Sequence, residues 1–245
     1  MALEAVAASG SPVPSTRLTR RRVLGWLGGL GLAVLIPGCA DDDEPSSGPA
    51  AATATTEEAT VTTTPDCVLT PEVTEGPYYL DLDLIRSDIT EGRSGLPFDL
   101  QIKVVDADSC EAIKDVAVDV WHCDAEGVYS GVQGDDGTFL RGVQVTDGAG
   151  DAAFRTIFPG WYTGRAVHIH LKVIQGGQTW TGQLFFDDAT LDAVYAKEPY
   201  SSRGPADVPN SADGIFGQTN GSTIVATDVG NDRASGQVAV GIERA

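Results

Sequence analysis

From Phe98 onward the chain runs on a period of two. Phe98, Leu100, Ile102 and Val104 alternate with Asp99, Gln101 and Lys103, which places apolar side chains on one face of a strand and polar ones on the other. Val116, Val118 and Val120 repeat the pattern after a turn at 106–109, and further strands are expected over 139–145, 152–156, 166–174, 178–186, 222–227 and 237–242. Gly134-Asp135-Asp136-Gly137 and Asp147-Gly148-Ala149-Gly150 read as turns between these runs. Against a helical bundle stand 29 glycines and 13 prolines, which disfavour helix interiors. The expected fold is all-β, a β-sandwich of mixed strands with long active-site loops and at most one short helix, around 191–196.

The first 66 residues have a different character. Thr19-Arg20-Arg21-Arg22-Val23-Leu24 sets paired arginines before an apolar run from Val23 to Ile36. At about 14 residues the run is shorter than the ~20 needed to span a bilayer and suits an export signal. Its glycines and paired arginines resemble a twin-arginine signal; a membrane-anchoring helix is the alternative. Pro37-Gly38-Cys39 resembles the lipobox of bacterial lipoproteins, which implies a lipidated Cys39 and attachment to a membrane. Residues 39–66, rich in Ser, Thr, Ala and Pro, cannot bury enough apolar surface to order themselves and read as a linker. The expected organisation is a signal over 1–38, a linker over 39–66 and a folded domain over 67–245. The product is expected to be exported, as a cell-envelope lipoprotein or a secreted protein. A net charge of −19 argues against nucleic acid as a partner. Of Cys67, Cys110 and Cys123, one disulfide and one odd thiol are expected. Cys67–Cys110 is the favoured pairing, although sequence does not fix it.

The chain has three histidines, His122, His168 and His170. Two of them lie in His168-Ile169-His170, inside an expected strand, so both imidazoles share one face while Val167, Ile169, Leu171 and Val173 line the other. Two such imidazoles can reach one ion, or simply face solvent. Upstream lie Pro159-Gly160-Trp161-Tyr162-Thr163-Gly164-Arg165, the stretch from Trp121 through His122 to Tyr129, and Thr74-Glu75-Gly76-Pro77-Tyr78-Tyr79.

With these pieces in this order, residues 67–245 resemble the intradiol ring-cleavage dioxygenases, near the protocatechuate 3,4-dioxygenase branch. Arg165-x-x-His168-x-His170 and the Trp121-to-Tyr129 loop carry the likeness. It implies a non-haem Fe(III) held by Tyr129, Tyr162, His168 and His170, with a catecholic small molecule and O2 as substrates. It also implies that Arg165 is the active-site arginine, that Gln183 lies behind the iron and orients a ligand, and that Gly76-Pro77-Tyr78 borders the substrate. The donor set suits the metal, because a bound cation makes phenolate available at neutral pH and hard anionic oxygens match ferric iron. The gap between Tyr162 and His168 is shorter than in protocatechuate dioxygenases, so the substrate loop is rebuilt.

Other residues receive structural readings. His122 should continue the Val118–Val120 face into the sandwich, Trp121 should be core, and Cys123 a buried thiol or half of a disulfide. Trp161 and Tyr79 could line the pocket or only pack. Asp187-Asp188 reads as a turn and 201–210 as a long surface loop. The rival to an enzyme is a non-catalytic, lipid-tethered β-sandwich binding module. Oligomeric state is not legible.

Overall fold

The computed structural model describes residues 68–132 and 134–245; the expected signal over 1–38, Cys39, the expected linker over 39–66 and Cys67 lie outside the described residues. Two four-stranded sheets face each other. The strands are β1 (Pro97–Asp106), β2 (Ala117–Trp121), β3 (Arg141–Val145), β4 (Asp151–Ile157), β5 (His168–Gln175), β6 (Gln178–Phe185), β7 (Ala226–Val229) and β8 (Ala234–Ile242). One sheet has the order β4-β1-β8-β7 and the other β3-β2-β5-β6. Only β1 and β8 run parallel; the other strand pairs are antiparallel. This is the mixed β-sandwich expected from the alternation.

The alternation places the core. Phe98, Leu100, Ile102 and Val104 on β1 are buried against Val118 and Val120 on β2 and Ile169, Leu171 and Val173 on β5. Such burial is the main force holding two sheets together. The second sheet is covered on its other face as well. There Trp121, Cys123 and Tyr129 form a separate buried cluster, with Tyr78, Tyr79 and Tyr162 packed on it. His122 follows the core face and bridges the sheets: Nδ1 meets the Cys123 carbonyl at 2.8 Å and Nε2 meets Thr156 Oγ1 on β4 at 2.7 Å. A carbonyl only accepts, so Nδ1 carries the proton and Thr156 donates to Nε2. Burial lowers the His122 pKa to about 4, which keeps the ring neutral.

Several boundaries differ from the expected ones. β3 starts at Arg141, because Leu140 is left-handed (φ 56°) and gives its N–H to the Ile89 carbonyl. β5 starts at His168, and β7 lies at 226–229, since 220–223 are spent on a turn that begins at left-handed Asn220. Asp187-Asp188 is the start of a helix: Asp187 caps α1 (Asp188–Tyr195) by accepting from the Thr190 N–H. A second, six-residue helix, α2 (Gly214–Thr219), is capped by Asp213. The 201–210 segment is pinned at both ends. Buried Tyr200 donates to the Phe158 carbonyl at 2.6 Å, and Asn210 donates to the Phe186 carbonyl at 2.6 Å. Cys110 is disulfide-bonded, and Cys123 is a free buried thiol.

Candidate metal centre

Register on the second sheet brings the chemistry together. His170 on β5 sits opposite Trp121 on β2 and Gln183 on β6. The indole of Trp121 lies flat on the His170 ring, centroids 4.8 Å apart and planes within 6°, which fixes the plane of the imidazole. Gly76 (φ +74°) abuts the Cε1 edge of the same ring; a β-carbon there would stand 3.1 Å from His170 Cε1. His168 gives its Nδ1 proton to the Ala166 carbonyl at 2.6 Å, so its Nε2 is left with a lone pair.

Two loops bring tyrosines over these rings. Asp124 organises the first by accepting from the Glu126 and Val128 N–H groups, and Tyr129 follows. The second, from Phe158 to Arg165, carries Tyr162. Tyr129 Oη is 3.1 Å from His170 Nε2, His170 Nε2 is 3.1 Å from His168 Nε2, and Tyr162 Oη is 3.3 Å from His168 Nε2. Donors about 2.1 Å from one ion and roughly at right angles stand about 3 Å from one another, so these four suit a shared cation. Among the described residues no group of three His, Cys, Asp or Glu side chains could hold a metal; here two phenols complete the pair of imidazoles.

Electrostatics favour the same reading. Burial, helped by the Arg165 charge, lowers the His168 pKa to about 3, and burial with His168 beside it holds His170 well below its usual range. Both imidazoles are therefore neutral and available. Burial raises the phenols of Tyr129 and Tyr162, so phenolate at neutral pH requires a cation next to it.

The remaining site residues divide. Tyr78 leans on Tyr129 with the rings tilted (4.7 Å) and meets Tyr162 edge-on (6.0 Å), while Pro77 is exposed. Arg165 donates from Nε to Asp213 at 2.8 Å and from Nη2 to Gln183 Oε1 at 2.7 Å. Gln183 in turn donates to the Thr74 carbonyl at 2.8 Å. The glutamine thus orients Arg165 and the Gly76 segment; neither of its bonds goes to the four candidate ligands.

Residues 71–197, just over half of the chain, match the Dioxygenase_C family model, described as dioxygenase. The chain belongs to this dioxygenase family. An intradiol ring-cleavage dioxygenase from Tetranychus urticae is 36% identical, with a TM-score of 0.69, over 73% of this chain and 98% of that one. The dioxygenase domain of a carbohydrate-binding fusion protein from Streptomyces sp. SirexAA-E is 26% identical, TM-score 0.56, over 72% and 99%. A chlorocatechol 1,2-dioxygenase of Cupriavidus pinatubonensis is 31% identical over 143 residues, 48% of this chain and 54% of that protein. The chain spans about half the length of the curated relatives it matches.

In this member of the dioxygenase family, two contributions escape a sequence reading. Trp121 is core, as expected, but also the platform for His170. Asp213 holds Arg165; its only local signal is that of a helix cap before Gly214. Trp161 and Tyr79 resolve as packing residues: Trp161 donates Nε1–H to the Gly204 carbonyl, and Tyr79 lies between Trp121 and the Lys172 ammonium. The two tyrosine loops also touch through glycine. A β-carbon on Gly160 would stand 2.4 Å from the Asp124 carbonyl oxygen and 2.5 Å from that of Ala125. Gly160→Ala must therefore push backbone from backbone, and a loss of about 1–3 kcal/mol in unfolding free energy is expected by denaturant titration.

Proposed function

We propose that this chain is an extracytoplasmic, non-haem Fe(III) intradiol dioxygenase that cleaves catecholic aromatics between their hydroxyl-bearing carbons with O2, giving cis,cis-muconate-type products. The observation that carries the proposal is the meeting of Tyr129 Oη, Tyr162 Oη, His168 Nε2 and His170 Nε2 within 3.1–3.3 Å steps, in a chain whose relatives include an intradiol enzyme. These four residues would hold the iron. When bound, ferric iron would supply Lewis acidity, drawing electron density from a catecholate ring and making it reactive toward O2.

The chain's own groups serve the rest. Tyr162 is the less buried of the two tyrosines, so its phenolate oxygen is the base best placed to take a proton from an entering catechol hydroxyl. The Arg165 guanidinium, immobilised by Asp213 and Gln183, stabilises negative charge that builds on the ring. Tyr78 and Gly76 narrow the approach to the two donors beneath them.

Phenolate bound to ferric iron absorbs in the visible, so iron-loaded protein should be red-brown and should take up O2 with catechol, hydroxyquinol or a substituted catechol. Fully loaded protein without colour would exclude the two-tyrosine centre, leaving a tethered binding module. Export is proposed from the arginine pair and the apolar run. Changing Arg20 and Arg21 together to lysine should leave the protein in the cytoplasm, as read by cell fractionation; undiminished delivery would exclude a twin-arginine route.

A further inference from the structure

We propose that Arg203 is a positioning residue that sets the spacing between the two tyrosine loops, and through it the reach of Tyr162 toward the ion. The inference rests on the iron-dioxygenase reading above. One nitrogen of the Arg203 guanidinium, Nη1, donates to the Trp161 carbonyl at 2.8 Å and to the Ala125 carbonyl at 3.1 Å. The first carbonyl belongs to the residue just before Tyr162, the second to the loop that ends in Tyr129. The guanidinium also lies over the Trp161 ring, 4.2 Å from its centroid.

Nothing else claims this cation: among the described ion pairs no carboxylate faces Arg203. The planar fork fixes the directions of both Nη1 N–H bonds, so this one nitrogen holds two carbonyls at a set separation where a freely rotating ammonium cannot. The first loop is shaped to let it in. Gly127 (φ +84°) lies where a β-carbon would be 2.3 Å from the Trp161 carbonyl oxygen and 3.3 Å from Arg203 Nη2.

The same segment grips Tyr162 from both sides in sequence. Before it, Trp161 donates to the Gly204 carbonyl at 3.2 Å; after it, the Gly164 N–H donates to Asp207 Oδ2 at 3.3 Å. Tyr200 anchors the segment by donating to the Phe158 carbonyl and accepting from the Leu96 N–H at 3.1 Å. The span read from sequence as a surface loop is therefore a brace behind the more exposed tyrosine. Tyr129 and Tyr162 meet edge to face, ring centroids 5.6 Å apart, and the brace holds the backbone of the Tyr162 loop at the distance from the Tyr129 loop that this contact requires.

The test uses iron-loaded full-length protein and two variants, Arg203→Ala and Arg203→Lys. Iron content, the visible band per bound iron, kcat and KM are measured for each against catechol. The expected result is near-normal iron content with a displaced band, and a kcat lowered about tenfold or more while KM changes less, since small misplacement of a reacting group is costly. Arg203→Lys keeps the charge over Trp161 without the fork and should fall between; it decides the matter if Arg203→Ala does not fold. An unchanged band and kcat would overturn the inference, as would a loss of activity proportional to lost iron with the band per iron unmoved. A wild-type protein that binds iron without colour would instead defeat the dioxygenase reading, so the two failures are distinct.

Discussion

His170→Ala is expected to abolish iron binding while leaving a folded sandwich. The imidazole supplies the nitrogen that lies 3.1 Å from both Tyr129 Oη and His168 Nε2, so its removal opens the middle of the donor set. The core itself is formed by the opposite face of β5, through Ile169, Leu171 and Val173, and that face is untouched. The cavity left beside Trp121 should cost about 3 kcal/mol. Iron analysis of the purified variant should find less than about a tenth of the wild-type content, since one lost ligand weakens a site by orders of magnitude, while far-UV circular dichroism stays as before. A normal iron content would remove His170 from the centre.

Asp213→Ala should produce the largest loss of stability in the region. The carboxylate accepts from Arg165 Nε, from the Ala166 N–H at 2.9 Å, and from the Ile215 and Phe216 N–H groups at 2.8 and 3.0 Å. Removing it leaves one cation and three backbone donors without their acceptor, a defect worth about 3–5 kcal/mol, or a melting temperature lower by roughly 10 °C. The acid dependence follows from the same contacts. Burial works to raise the Asp213 pKa, but the bonds from Arg165, Ala166 and Phe216 outweigh it and bring the value from 3.8 down to about 2. A folded value below the unfolded one means that the contribution is complete above about pH 4 and is lost as pH falls toward 2. Wild type should therefore lose stability over that window, and Asp213→Ala should lose less there. Equal acid sensitivity in the two proteins would mean that the pair contributes little.

How much of this was legible beforehand depends on the range of the interaction. Alternation is local, so β1 and the apolar face of β5 could be read from a few neighbouring residues. His168-x-His170 is local too, and its shared face follows from strand geometry alone. The union of these rings with Tyr129 and Tyr162 was reached through family resemblance, because no local pattern says that loops 41 and six residues away fold over one strand. Asp213 and Arg203 act on partners 48 and 42 residues distant. The first looks like an ordinary helix cap and the second like a charge in a polar loop. Strand ends failed where a single backbone conformation decided them, as left-handed Leu140 delays β3 and the turn at Asn220 delays β7.

The parallel pairing of β1 with β8 has a consequence for how the protein must be made. β1 is the central support of its sheet, and from Phe98 to Asp106 its neighbour is the last strand, Ala234 to Ile242. A nascent chain that has delivered β1 through β6 has one edge of β1 paired with β4 and the other edge still open. Contacts between such distant segments slow folding, so the domain should acquire its native form only after the ribosome has added β8. Deleting residues 234–242 should therefore cripple the whole structure, since β8 joins β1 to β7.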